Sequence, residues 1–381
     1  MDRMLHSEEA ATRLGVKVTT LYAYVSRGML TSHPDPAGRR SLFALSDIEQ
    51  LATRQRGARK VESRLATITT SVTQLRECGP FYRGQPATAL AASKSFEEVA
   101  ALLWLSEVEP QWSDPKLGPC PLERVADRMS WAVLMCGATD PLRADLRPEA
   151  VTQGARRVAA ALVAVVGDGS AVDDADTSMA ARLARRLGGP HSALTADALN
   201  AALILMADHE LATSTLAVRV AASTRADIYD ALSAGLATLA GPLHGSASQQ
   251  AYDLLVAAER DGPARALNEW LRWHERLPGF GHSIYKDVDP RFEVLMSLAE
   301  PLLSDERRQL VREVMALSAA QRVPAPNCDL ALAALTWGTD MSPDAGRTIF
   351  TVARIAGWTA HYLEELGERP LRFRARAVYS V

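Results

Sequence analysis

At 381 residues the chain exceeds one typical hydrophobic core, so two or three domains are expected. Its 48% apolar and 23% charged residues are those of an ordinary globular protein, and no apolar run approaches the roughly 18 residues that a membrane span needs. Four cysteines lie far apart with no C-x-x-C spacing, which favours reduced thiols and excludes a disulfide framework or a zinc motif. The N-terminal MDRMLHSEEA carries no apolar signal segment, so a cytoplasmic location is expected.

Charge separates a front segment from the rest. Residues 1–60 hold ten Lys or Arg against six Asp or Glu, about +4, and the remainder holds 32 against 39, about −7. Ser7 is placed to cap a helix running to Leu14, with Glu8 and Glu9 in its first turn. Gly15 marks a turn, and Thr19 to Arg27 reads as a second helix at helix-turn-helix spacing. LGVKVTTLYAYVSRGML followed by AGRRSLFALSDIEQLA resembles the MerR-type winged helix-turn-helix. That resemblance puts Lys17, Thr19, Thr20, Tyr22 and Tyr24 on or beside a recognition helix and Arg39 and Arg40 on a wing, with DNA as the possible partner. A net +4 is modest for a nucleic-acid binder, and a module that only docks on its neighbour is the competing reading.

Residues 52–64 read as a charged linker. The alternating LATITTSVTQLRE predicts a short hairpin, and Ser95 with Glu98 predicts a capping box before an amphipathic helix. From there to about Thr238 the pattern is helical, broken near 110–121, 140–141, 167–176 and 188–190; 168–176 reads as an acidic surface loop. Abundant Ala, Ser and Thr over 196–240 suit close helix packing. Further helices are expected at 247–260, at 264–274, from about Asp329, and at 348–366, before a basic tail, LRFRARAVY. The fold class expected is all-α with a minor hairpin.

Within the Ala-rich run, His209 and His244 stand out, because a buried imidazole is costly unless paired. His209 alone reads as a core histidine. His244, in Gly-Pro-Leu-His-Gly, is held on a turn before a helix start, where side chains do chemistry. ADHE and GPLHG, with GFGHSIYKDVDPR at 279–291 and PNCD at 326–329, resemble the citrate synthase family in order and approximate spacing. GPFYRGQPATALAASKSFEEVAALLW resembles its opening segment, so the likeness runs from about residue 61 to the end.

The resemblance implies a citrate-synthase-like body behind the module at 1–60: a large helical domain at 61–245 and 341–381, and a small one at 246–340. It implies condensation of acetyl-CoA with oxaloacetate in a homodimer, with coenzyme A thioester as substrate, no further cofactor, no metal and no membrane. By resemblance His244, His282 and Asp329 are catalytic, and His209, Arg291, Arg354 and Arg372 bind oxaloacetate, Arg372 reaching across the dimer. The residue types suit these tasks. Asp329 at a helix start is favoured as a carboxylate while apolar neighbours push its pKa up, and His244 at a helix start is kept neutral. Arginines grip carboxylates bidentately. Singly, Asp329 reads as a helix cap and Arg354 as a surface residue; His274 and His361 are given no role.

Three departures stand on the acyl-CoA side: Ser246 in place of a second glycine, Ser283 where an arginine often follows the loop histidine, and Leu330-Ala331 after Asp329. They leave 2-methylcitrate synthesis from propionyl-CoA as an alternative. A DNA-binding regulator that uses the body as a metabolite sensor is a third reading.

Overall fold

The computed structural model describes residues 4–14, 16–26, 28–35, 41–49, 51, 68–109, 111–167, 178–285, 287–374 and 379. Gly15, Arg27, Arg39, Arg40, the 52–64 linker, the 168–176 loop and Lys286 therefore lie outside the described residues. The chain divides into two compact units, Met1–Thr69 and Thr70–Val381.

The first unit has helices Ser7–Leu14 and Val18–Ser26 and a three-stranded antiparallel sheet in which Ser41–Ala44 lies between Met4–His6 and His33–Pro34. The second helix begins one residue before the expected Thr19. Leu5, Ala10, Leu21, Phe43 and Ile48 are fully buried between sheet and helices, a small core that needs every one of them. Glu8 and Glu9 in the first turn and Arg13 in the last complement the helix dipole.

The second unit opens with strand Thr73–Arg76 paired to Gly79–Tyr82, which pairs in turn to Gln85–Pro86. The hairpin thus lies later than the alternating stretch suggested: that stretch supplies one strand, and its partner follows the turn at Glu77-Cys78. The capping box forms as expected, with Glu98 N–H donating to Ser95 Oγ at 3.1 Å and Ser95 N–H to Glu98 Oε2 at 2.8 Å.

Thereafter the described chain is helical, and the 22-residue helix Ala345–Leu366 is its axis, buried along most of its length. It starts three residues earlier than periodicity indicated and packs against Thr213–Ser223, Pro148–Ala164 and Phe96–Trp104. Small residues make that approach possible. Gly357 N–H donates to Ala207 O at 3.1 Å, and a Cβ there would collide with Asp208. This contact fixes the turn that presents His209. Helices Ala247–Asp261 and Pro290–Ala299 flank Cys328–Gly338 in the same way. No helix among the described residues is long and apolar enough to cross a membrane.

Candidate active site

Four short segments supply most of the candidate groups: the turn after Ala193–Leu205, the turn before Ala247–Asp261, the glycine-rich loop, and the start of Cys328–Gly338; Arg354 comes from the long helix and Arg372 from beyond it. The loop is stitched to the helix start by backbone bonds. Gly281 N–H donates to Ala325 O at 2.8 Å, and Asn327 N–H to Gly279 O at 2.9 Å. Asn327 closes the junction, with Nδ2 donating to Gly281 O and Oδ1 capping Asp329 N–H at 2.9 Å. Gly279 has φ +80°, and its ideal Cβ would sit 2.8 Å from Leu330 Cβ, so only glycine allows this approach.

His282 is oriented by its own loop. Its Nδ1 accepts from the N–H groups of Ile284 at 3.1 Å and Tyr285 at 3.3 Å, and its ring stacks on Tyr285 with centroids 4.6 Å apart. An Nδ1 that accepts carries no proton, so the neutral ring keeps its hydrogen on Nε2. Arg291 Nη2 lies 3.4 Å from that Nε2. Both are donors, so the pair converges on a position suited to an acceptor oxygen.

His209 stands edge-on to His282, centroids 5.1 Å apart, and its Nε2 is buried without a partner among the described residues. Burial first, then the cations Arg291 and Arg354, hold its pKa far below the usual imidazole value, so the ring is neutral. Arg354, on the long helix, is buried, and its Nη1 likewise finds no partner there. Burial lowers its pKa too.

Asp329 occupies the first turn of its helix. The expected contest between helix start and desolvation goes to desolvation, which pushes the carboxyl up to about 6 against the pull of Arg291 and Arg354. His244 is held below its ordinary value by burial and then by Arg354, rather than by the helix start alone. Its Nε2 meets Ser214 Oγ at 2.8 Å.

The structure engages Arg372 within its own chain. Its Nε and Nη2 close on the two oxygens of buried Glu365 at 2.7 and 2.6 Å. Glu365 also takes Arg219 Nε at 2.9 Å, Arg219 Nη1 donates to His361 Nδ1 at 2.9 Å, and His361 Nε2 faces Asp208 Oδ2 at 3.3 Å. His361 is thus a core residue in a buried polar chain that ends beside His209, while His274 is exposed and stacks on Trp270. A role for Arg372 in a neighbouring subunit concerns a second chain.

Sequence reasoning passed over Ser214, Tyr285, Asp289 and the Arg219–Glu365 pair. Tyr285 and Asp289 stand inside the quoted loop, and Ser214 follows ADHE within a turn, so their positions were visible but their contacts were not. In the front unit Lys17 and Thr19 are exposed and Thr20 is half-buried. Tyr22 is tied down more than expected: its hydroxyl is hydrogen-bonded by Ser41 and Ser7, which lowers its pKa, and its ring packs edge-on to Phe43.

A family model described as the C-terminal domain of citrate synthase matches residues 120–376, and a helix-turn-helix model matches residues 4–56. Citrate synthase 2 of Bacillus subtilis is 30% identical over 359 residues, covering 84% of this chain and 95% of its own. The 2-methylcitrate synthase of Shewanella oneidensis is also 30% identical, over 81% of this chain and 90% of its own. Among solved structures, citrate synthase of Thermotoga maritima has the same fold, with TM-score 0.68 at 22% identity over 83% of this chain and 94% of its own. One family model thus matches more than half of the chain, and a relative at 30% identity is matched over nearly its whole length. Behind a helix-turn-helix domain, the chain belongs to the citrate synthase family of transferases.

Proposed function

We propose that the body condenses acetyl-CoA with oxaloacetate to give citrate and coenzyme A. The observation that carries this reading is a cluster of polar nitrogens around the His209–His282 contact, two of them buried without a protein partner among the described residues. His209 Nε2 and Arg354 Nη1 lack protein partners among the described residues, and the His282 Nε2–H and Arg291 Nη2 converge 3.4 Å apart. Buried polar atoms left open are costly, and a small dicarboxylate ketone would satisfy them. His282 and Arg291 polarise its ketone, while His209, Arg291 and Arg354 hold its carboxylates. Asp329, with its pKa raised to about 6, takes the α-proton of the thioester. Neutral His244 donates to the developing enolate oxygen, with Ser214 fixing the other ring nitrogen. The nucleophilic carbon then attacks the polarised ketone, and hydrolysis of the citryl thioester releases coenzyme A. The reaction needs no resident cofactor or metal, since coenzyme A arrives with the substrate. We place the enzyme in the cytoplasm as a homodimer whose Arg372 completes the neighbouring site.

The decisive experiment measures release of free thiol from acetyl-, propionyl- and butyryl-CoA with and without oxaloacetate. Oxaloacetate-dependent release from acetyl-CoA is the expected result, and none from any thioester would overturn the reading. Faster turnover of propionyl-CoA would instead support 2-methylcitrate synthesis, which relatives of equal identity with that name favour. The helix-turn-helix match and the exposed Lys17 and Thr19 favour a second role for the front domain, in DNA binding.

A further inference from the structure

Asp289 touches two parts of the site at once. It caps the helix Pro290–Ala299 and is 2% exposed. Its Oδ1 accepts from Arg291 N–H at 3.1 Å and Arg291 Nε at 3.0 Å. Its Oδ2 accepts from Arg291 Nη2 at 2.8 Å and from the backbone N–H of Cys328 at 3.1 Å. The first pair of contacts with Nε and Nη2 is bidentate, so it fixes the plane of the guanidinium as well as its position. The last reaches a different element, the first residue of the helix on which Asp329 follows. A buried ion pair adds little net stability over apolar packing, so stability alone is a weak reason for this arrangement. Geometry is the better one.

We infer that Asp289 is a positioning residue for the condensation, holding the Arg291 guanidinium against His282 and the Asp329 helix start at a fixed distance from both. The inference rests on the proposed acyl-CoA condensation. It acts through charge as well as position. The charges that act on Asp329 are the cations Arg291 and Arg354 and the Asp289 carboxylate, and the neighbouring Cys328 thiol, whose pKa burial raises, is coupled to it. Among these charges Asp289 alone works with burial to keep the Asp329 pKa up; the two arginines work against it. Asp289→Asn removes one anion and leaves Arg291 uncompensated. Both changes favour the Asp329 carboxylate, so its midpoint must fall.

The test compares wild type with Asp289→Asn and Asp289→Glu, reading KM for each substrate, the acid limb of kcat, and the aspartate 13Cγ titration. The Asp329 signal is the one missing from Asp329→Asn. For Asp289→Asn the KM for oxaloacetate should rise about tenfold or more with the thioester KM within about twofold, and the Asp329 midpoint should drop by about half a unit or more. Asp289→Glu keeps the charge but moves the oxygens, so KM should rise while the midpoint stays within about 0.3 units of wild type. An unchanged KM and midpoint in Asp289→Asn overturns the inference. If that variant does not fold, an unchanged oxaloacetate KM in folded Asp289→Glu overturns it instead. Calorimetry of wild type with oxaloacetate separates the two claims. Absence of binding removes the condensation reading and the inference with it, whereas binding with an unchanged oxaloacetate KM and Asp329 midpoint in Asp289→Asn overturns the inference alone.

Discussion

His244 Nε2 and Ser214 Oγ lie 2.8 Å apart, one on a turn and the other in the first turn of the helix Thr213–Ser223. Ser214 is fully buried, so its hydroxyl has few alternatives to this bond. With Nε2 engaged, Nδ1 is the atom available to a substrate oxygen. Ser214→Ala should therefore lower kcat about tenfold with the oxaloacetate KM within about twofold. Steady-state kinetics check this, and an unchanged kcat would remove Ser214 from the description of the site.

Asp329→Asn should lower kcat by about a thousandfold, because in the proposed condensation the group lost acts as the base only in the transition state. Wild-type activity should fall as pH drops through about 6, the acid limb belonging to the Asp329 carboxyl. The same shift makes a stability prediction. The Asp329 pKa is higher folded than unfolded, so its favourable contribution is present below the ordinary value of 3.8 and is lost as pH rises through about 6. At pH 8 the ionised carboxylate costs on the order of 1–3 kcal/mol, which asparagine removes. Thermal unfolding of the variant should shift upward by a few degrees at pH 8 and not at pH 3.5; a lower Tm at pH 8 would contradict the assignment.

Arg372 is bonded to Glu365 in its own chain, and family resemblance gives it a place in the neighbouring site. Complementation distinguishes these. Refolding an equal mixture of Asp329→Ala and Arg372→Ala should restore about a quarter of wild-type activity if the site is shared across a twofold axis. If Arg372 only braces Glu365, Arg372→Ala should destabilise the fold by about 1–3 kcal/mol through a weakened buried network, and the mixture should match the average of its parents.

Deleting residues 1–60 should leave kcat/KM within a few-fold if the front domain has its own task. A salt-dependent mobility shift with genomic fragments should accompany the intact protein and vanish in a Lys17, Arg39, Arg40 triple-alanine variant. Binding that survives that variant would redirect attention to other residues of the front domain.

The sequence by itself determined the two-part organisation, the helical class and the positions of most elements. Those properties follow from local causes: the charge shift near residue 60, the 3.6-residue periodicity, the Ser95–Glu98 capping pair and the glycines that punctuate helices. His209, His244, His282, Arg291, Asp329 and Arg354 were named through the likeness of their segments to the citrate synthase family, whereas Arg354 read singly as a surface residue and is buried. The tertiary structure decided everything that depends on distance between separated segments. Burial outweighing the helix start at Asp329 is a sum over neighbours from several helices. The Ser214–His244 bond across 30 residues and the bridge from Asp289 to Cys328 are contacts that no periodicity encodes. Arg372 shows the limit most plainly. A basic tail reads as exposed or reaching outward, yet Glu365, seven residues back and turned inward on the long helix, offers a buried carboxylate with matching fork geometry.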